Sequence, residues 1–417
     1  MRQHPEPSAP CSLPTPSRRS FLRYAALAAA TPIFTEAHFA RAAQQAAAAA
    51  APRRRRANWV IPPPDAILIN ANENPLGPCQ AARDTVDRLV PTGGRYDLYD
   101  ETGKLAKNFA AQHNIPEDHI TVYAGSSEPL HFTVLAFTSP TRSLVIADPS
   151  YEAAMVAAGY SGAKINKVPL TANYAHDVKA MASADPNAGV LYVCNPNNPT
   201  GTLTSKQDIL WLLDNKPKGS VLLVDEAYIH FADVPDVLDQ VIAGKDIIVL
   251  RTFSKIYGMA GLRCGLALAR PDLLAKLSQY GQNPMPVTGS GAANASLLDA
   301  NLIATRKKYM TETRGQALAW LKQNGYKVIG DPVSNCFMID TGRDGRSVML
   351  AMQKKNIYIG RTWPVWPSAV RITVGTPEEM AKFQAAFKQV MDAPPVTTAA
   401  AAPLRLHRDG VRVPRLS

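Results

Sequence analysis

A lysine, a carboxylic acid, a phenol, an amide and a guanidinium stand out in this chain, and most of them follow directly on a hydrophobic run: Lys255, Asp225, Tyr228, Asn198 and Arg263. Lys255 lies in Arg251-Thr252-Phe253-Ser254-Lys255-Ile256-Tyr257-Gly258-Met259-Ala260-Gly261-Leu262-Arg263, just after Asp246-Ile247-Ile248-Val249-Leu250. That apolar run predicts a short buried strand, so the amine sits where the strand gives way to a loop of small residues. An amine so placed can be desolvated and made nucleophilic beside an arginine that binds an anion. Taken alone, Ser254-Lys255 is an ordinary loop dipeptide, since lysine is rarely buried unless paired.

Two upstream runs give the lysine its context. Asn195-Pro196-Asn197-Asn198-Pro199-Thr200-Gly201 closes the strand-like Val190-Leu191-Tyr192-Val193-Cys194, and Asp225-Glu226-Ala227-Tyr228 closes Val221-Leu222-Leu223-Val224. Three strands thus deliver polar residues at their carboxyl ends, where open α/β sheets bind ligands. This set of groups fits pyridoxal 5′-phosphate: the lysine can bond to its aldehyde and the carboxylate can keep its pyridine nitrogen protonated. Further back, Thr121-Val122-Tyr123-Ala124-Gly125 reads as a strand leading through Ser126-Ser127-Glu128 into a helix. Free amides at such a helix start can cradle a phosphate, although serine there is equally suited to plain capping. Ser143-Leu144-Val145-Ile146-Ala147-Asp148-Pro149 is another buried strand, with Tyr151 after it. Strands alternating with helical stretches predict a mostly parallel sheet covered on both faces. From about Pro286 the pattern changes to longer helices and short alternating strands such as Ser334–Ile339, which marks a smaller domain.

With these motifs in order, the sequence resembles the fold-type I pyridoxal-phosphate enzymes and the class I/II aminotransferases within them. More narrowly it is similar to the histidinol-phosphate aminotransferase family, through Asn72-Glu73-Asn74-Pro75, Arg95-Tyr96, Asn197–Gly201, Asp225–Tyr228, Ser254-Lys255 and Arg371-Ile372-Thr373-Val374-Gly375-Thr376. The resemblance runs from about Asn70 to about Val390. It implies an α/β fold, a three-layer sandwich with a mostly parallel sheet (residues 96–285) plus a smaller α+β domain (286–392) that the family builds from both chain ends, here with an arm over 58–95. It also implies transfer of an amino group from an amino donor, histidinol phosphate or a related L-amino acid, to 2-oxoglutarate.

The roles implied are specific. Lys255 carries the cofactor and moves a proton between the substrate Cα and the cofactor C4′, which needs a neutral amine favoured by burial and nearby cations. Asp225 pairs with the ring nitrogen. Asn198 and Tyr228 donate to the ring phenolate, and Tyr151 stacks on the ring. Ser126, Ser127, Thr252, Ser254 and Arg263 hold the phosphate, the planar arginine fork matching its oxygens. Tyr96 reaches the phosphate of a neighbouring subunit, so the site is complete only in a homodimer. Arg371 binds a substrate carboxylate, Arg361 grips a substrate phosphate, and Asn74 also faces substrate. Each has a plainer version: Asp225 as a helix cap, Tyr151 as core.

Composition is consistent with this and excludes one class. The chain has 417 residues and a formal charge of +11, long enough for one large and one smaller domain around a cleft. Residues 1–57 carry +7 and residues 393–417 carry +3, leaving +1 on the body between them. A nucleic-acid-binding domain carries its charge on the body, so that function is excluded. The N-terminal charge belongs to Ser17-Arg18-Arg19-Ser20-Phe21-Leu22-Arg23, followed by the uncharged, alanine-rich Tyr24–Phe34 and by Ala40-Arg41-Ala42. That is the pattern of a secretory signal over residues 1–42, of the twin-arginine type, and predicts delivery to the periplasm by the twin-arginine export machinery; the alternative is a cytoplasmic protein with a basic tail whose paired arginines are chance. Its apolar run is too short to be a permanent membrane span. Residues 43–57, with Arg53-Arg54-Arg55-Arg56, read as a solvated linker, and 393–417 as a tail. The five cysteines show no paired spacing and no zinc pattern, and the eight histidines form no metal-ligand pair.

Departures from the family pattern bear on substrate. Arg95-Tyr96 is followed by Asp97-Leu98-Tyr99-Asp100 in place of proline and an acid, and Thr362-Trp363-Pro364-Val365-Trp366-Pro367 is unusually aromatic. Trp363 and Trp366 could line a pocket for an aromatic amino acid, or pack beneath the small domain. Export also sits poorly with histidine biosynthesis, which is cytoplasmic. An aromatic amino acid aminotransferase, and a lyase or decarboxylase on the same scaffold, remain alternative readings. A cofactor-sensing module fused to a DNA-binding domain is disfavoured, because no helix-turn-helix precedes residue 58.

Overall fold

A computed structural model describes residues 61–281 and 283–395. The signal expected over 1–42, the linker of 43–57 and most of the tail of 393–417 lie outside the described residues. The strands in chain order are β1 (Ile67–Ile69), β2 (Ile120–Tyr123), β3 (Ser143–Asp148), β4 (Ile165–Pro169), β5 (Ala188–Cys194), β6 (Val221–Asp225), β7 (Ile247–Thr252), β8 (Gly265–Leu268), β9 (Lys327–Val328), β10 (Cys336–Asp340), β11 (Ile357–Ile359) and β12 (Ala369–Thr373).

Seven of these form one sheet in the order β2-β8-β7-β6-β5-β3-β4. Pairing is parallel from β7 to β4, and β8 alone runs against both its neighbours. Every residue of β5, β6, β7 and β8 is buried, as expected for a largely parallel sheet with helices on both faces. That is why these strands read as unbroken apolar runs. Because β8 is flanked by antiparallel pairs, β2 points the same way as β7. The carboxyl ends of β2, β3, β5, β6 and β7 therefore open on one edge, and β8 begins at that edge.

The remaining strands make two small sheets. β10 pairs antiparallel with both β9 and β12, and β1 pairs parallel with β11. The loop just after β1 is tied to the end of β12: Asn72 N donates to Thr373 Oγ1 at 2.9 Å, across 301 residues. Helix Leu302–Gln323, 22 residues long, precedes this region. Helix Pro377–Asp392 closes it, opened by a Thr376–Glu379 capping box with Pro377 at its first position. Helix Val287–Leu297 packs instead on helices Gln80–Leu89 and Glu101–His113, with Asn108 donating to Asn294 at 2.8 Å.

Candidate active site

Lys255 leaves β7 three residues after its end, and its loop is pinned from outside. Asn74 Nδ2 and Arg306 Nη1 each donate to Ile256 O at 3.0 Å. Gly258, at φ +68°, lies so close to the Gly77 backbone that a Cβ there would overlap it, which is what restricts the position to glycine. The half-buried Lys255 points its Nζ to within 3.5 Å of Ala71 O and 5.5 Å of the Tyr228 ring centroid.

Asp225 ends β6 and is 3% exposed. It accepts from Tyr192 OH at 2.9 Å and from Ala227 N at 3.1 Å. Burial nonetheless pushes its carboxyl above the usual carboxylate range, these two donors and the Lys255 charge offsetting only part of that. A cationic ring nitrogen is the kind of partner that would complete the compensation. The neighbouring Glu226 serves the scaffold. Its Oε2 accepts from Arg251 Nε at 2.9 Å, and Arg251 also pairs with Asp236 at 2.6 Å.

Tyr228 is buried, with its hydroxyl receiving Asn72 Nδ2 at 3.0 Å. Asn198 is also buried. Its Oδ1 accepts from Arg371 Nη1 at 2.8 Å, which leaves its Nδ2 as the donor. Arg371 is 2% exposed. Its Nη2 donates to Asn70 O at 2.6 Å, while its Nε is buried without a hydrogen-bond partner.

The phosphate cradle expected at Ser126 and Ser127 has a definite shape. Gly125 has φ +91°, and a Cβ there would overlap the Arg263 guanidinium; a Cβ on Gly265 would come 2.5 Å from Ser126 N. Arg263 is held by Ala124 O at 3.2 Å and Ala260 O at 2.9 Å. Thr252 Oγ1 donates to Ser254 Oγ at 3.0 Å beside it. Ser126 begins the helix Ser127–Phe137 without a side-chain capping bond, so its hydroxyl is not spent as a plain cap. Hydroxyls, a helix N-terminus and an arginine around a glycine turn fit a phosphate group.

The outer residues are placed less simply. Trp363 is buried, in a small apolar cluster with Ile329, Met338 and Ala369, and its Nε1 donates to Ser150 O at 3.3 Å. The guanidinium carbons of Arg361 and Arg371 lie 4.9 and 5.6 Å from its ring centroid. It is thus a platform under both arginines, while Trp366 packs edge-on against Tyr174 at 5.7 Å. Arg361 forms an ion pair with Glu152 at 2.6 Å. Tyr151, one residue before Glu152, is half-buried after β3. Asn74 holds the lysine loop. Tyr96 is 85% exposed and is not brought to the other groups within this chain. The acids after it cap helix Glu101–His113: Asp97 accepts from Glu101 N at 2.7 Å and Thr102 N at 2.9 Å, and Asp100 from Gly103 N at 3.2 Å.

Three participants escaped the sequence reading: Tyr192, Glu152 and the side chain of Asn72. Asn72 had the one available signal, since asparagine tolerates the positive φ of +54° found there. Among the described residues Cys79, Cys194, Cys264 and Cys336 are free thiols, no cluster of metal-ligating side chains occurs, and no helix is long and apolar enough to cross a membrane.

Comparison with known proteins agrees with this geometry. Residues 63–387 match the family described as aminotransferase class I and II. A histidinol-phosphate aminotransferase of Moorella thermoacetica is 31% identical over 342 residues, covering 78% of this chain and 86% of that protein. An aromatic amino acid aminotransferase of Cutibacterium acnes is 29% identical over 333 residues, covering 78% and 93%. The histidinol-phosphate aminotransferase of Sinorhizobium meliloti, solved in complex with pyridoxal 5′-phosphate, has the same fold, with a TM-score of 0.72 at 23% identity over 78% of this chain and 91% of that one. The cofactor is pyridoxal 5′-phosphate, and the residues around Lys255 fit it. The chain belongs to the class I and II aminotransferase family.

Proposed function

We propose that this transaminase moves the amino group of histidinol phosphate, or of a related L-amino acid, to 2-oxoglutarate. The observation that carries the reading is the 2.8 Å bond from Arg371 to Asn198: a buried cation suited to a carboxylate is fixed to the amide that would face the cofactor ring. The Moorella relative supports histidinol phosphate as the donor.

When bound, pyridoxal phosphate supplies an aldehyde for the substrate amine and a cationic ring that draws electrons from the substrate carbon. Asp225 would pair with the ring nitrogen and keep it protonated. Asn198 and Tyr228 would donate to the ring oxygen, and Tyr151 would stack on the ring. Ser126, Ser127, Thr252, Ser254 and Arg263 would anchor the phosphate. Lys255 would move the proton between the substrate Cα and the cofactor C4′, a proton-transfer role typically worth ~10²–10⁴ in rate. Arg371 orients the carboxylate, including that of 2-oxoglutarate in every second half-reaction.

An aromatic donor is the second reading. It is favoured by the Glu152–Arg361 pair, which cancels the charge a phosphate would need, and by the Cutibacterium relative. A screen of histidinol phosphate, phenylalanine, tyrosine and tryptophan against 2-oxoglutarate, reading glutamate formation, tests both. Absence of glutamate with every donor, with carbon dioxide or an eliminated product in its place, would point to a different reaction on this fold.

Two further parts belong to the same reading. A homodimer in which Tyr96 completes the neighbouring site suits the exposed apolar Val90, Tyr96, Leu98 and Tyr99. Export through the twin-arginine route rests on Arg18-Arg19 and the run after them. Arg18→Lys with Arg19→Lys should hold the protein in the cytoplasm of a host with that route, and unchanged periplasmic delivery would refute it.

A further inference from the structure

A transaminase of this type must admit two different side chains to one pocket: that of the donor and the second carboxylate of 2-oxoglutarate. Arg361 and Arg371 both rest on the Trp363 ring. That indole is fixed, being buried and tied by Nε1 to Ser150 O, while Ser150 Oγ donates to Asn197 Oδ1 at 2.9 Å in the loop that bears Asn198. Arg361 lies over the indole and, unlike Arg371, is held by a side chain that solvent reaches: the Glu152 and Arg361 side chains are each 30% exposed. Arg361 Nε is buried with no hydrogen-bond partner, so its guanidinium has a spare donor.

We propose that Glu152 is a specificity-determining residue, a removable counter-ion for Arg361. With the pair closed at 2.6 Å, the pocket presents a neutral wall and accepts an uncharged, flat side chain. With the pair open, Arg361 turns to the anionic end of the ligand, a phosphate or the distal carboxylate of 2-oxoglutarate. Glu152 also has somewhere to rest when displaced. It is the residue that opens helix Ala153–Ser161, and the positive end of a helix favours a carboxylate whether or not Arg361 is paired with it. The rigid parts of the frame are the indole and the Ser150 tie; the movable parts are the two charged ends. The proposal rests on the transaminase reading above.

Glu152→Gln removes the competing charge and keeps the shape. For histidinol phosphate and 2-oxoglutarate, kcat/KM should rise about fivefold, the upper end for a partly exposed ion pair. For phenylalanine it should fall by a similar factor, because an unpaired guanidinium must then be desolvated against an apolar ring. Opposite signs are the signature, since a residue with only a structural part would move all three the same way. Movement in one direction, or none, overturns the proposal. Calorimetric binding of glutarate and 3-phenylpropionate to the cofactor-loaded protein gives the same comparison without turnover. Failure of the transaminase reading shows instead as wild-type protein that forms no glutamate from any donor. Should Glu152→Gln fold poorly, Glu152→Ala is expected to give the same opposed shifts.

Discussion

The Tyr192 hydroxyl donates to Asp225 Oδ2 at 2.9 Å, from the middle of β5 to the end of β6, with both side chains buried. It is one of the two hydrogen bonds that offset part of the upward push that burial gives this acid's pKa. Tyr192→Phe keeps the ring packing and removes only that donor, a bond to a charged group worth about 1.5–3 kcal/mol. The cofactor should bind roughly 10- to 150-fold more weakly in a spectroscopic titration, and the absorbance band of the bound cofactor should titrate at a shifted pH. Asp225→Ala should weaken binding at least as much. Wild-type affinity and spectrum in Tyr192→Phe would show that the bond does nothing for the ring.

Lys255 should be the point of covalent attachment. Borohydride reduction followed by peptide mass mapping is expected to find the pyridoxyl group on Lys255. Lys255→Ala should retain the cofactor through Asp225 and Arg263 and lose turnover by several orders of magnitude. Attachment at any other lysine would overturn the site as drawn.

Trp363→Ala separates a platform from a pocket wall. Removing a fully buried tryptophan costs about 3–5 kcal/mol of stability, and both arginines lose the surface they rest on. Activity should therefore fall with histidinol phosphate and phenylalanine alike, and the melting temperature should drop. A loss confined to aromatic donors, at unchanged stability, would mean the indole touches substrate and little else.

Acid should destabilise the fold through His176. Its ring is fully buried and burial depresses its pKa to about 4, while Nδ1 lies 2.9 Å from Thr204 Oγ1. Between pH 4 and the ordinary histidine value near 6.5 the unfolded chain binds a proton that the folded chain does not. The contribution is thus complete above about pH 6.5 and is lost as pH falls toward 4, some ~3 kcal/mol across the window. Denaturant titrations of His176→Gln and wild type over this range should show a flatter pH dependence for the variant. Parallel slopes would assign the acid sensitivity elsewhere.

How much of this was readable from the sequence depended on the kind of contact. Asp225, Asn198 and Lys255 were legible because each closely follows an apolar strand, so its chemistry stood out against its surroundings. Tyr192 was not, because it lies inside such a run and a tyrosine there reads as core. Trp363 was ambiguous for the same reason: its partner Ser150 is 213 residues away, and only tertiary structure says that its buried ring carries two cations. The Glu152–Arg361 pair had no local signal at all. In the fold, the parallel order followed from strands alternating with helices, whereas the reversal of β8 left no mark in an apolar tetrapeptide that suits either direction.

The pairing of β1 with β11, and of Asn72 with Thr373, has a consequence for how the protein is made. Asn72, which steadies Tyr228, leaves the ribosome early, yet its partner emerges 301 residues later. At ~5–20 residues per second the strands of the large sheet can all be in place for several seconds while Arg306, which pins the lysine loop, and then Arg361 and Arg371 have yet to be synthesised. During that interval the nascent chain holds an open, half-made cup. Contacts of such long sequence separation form slowly, so closure of the catalytic pocket belongs to the last stage of synthesis, after the bulk of the polypeptide has already settled.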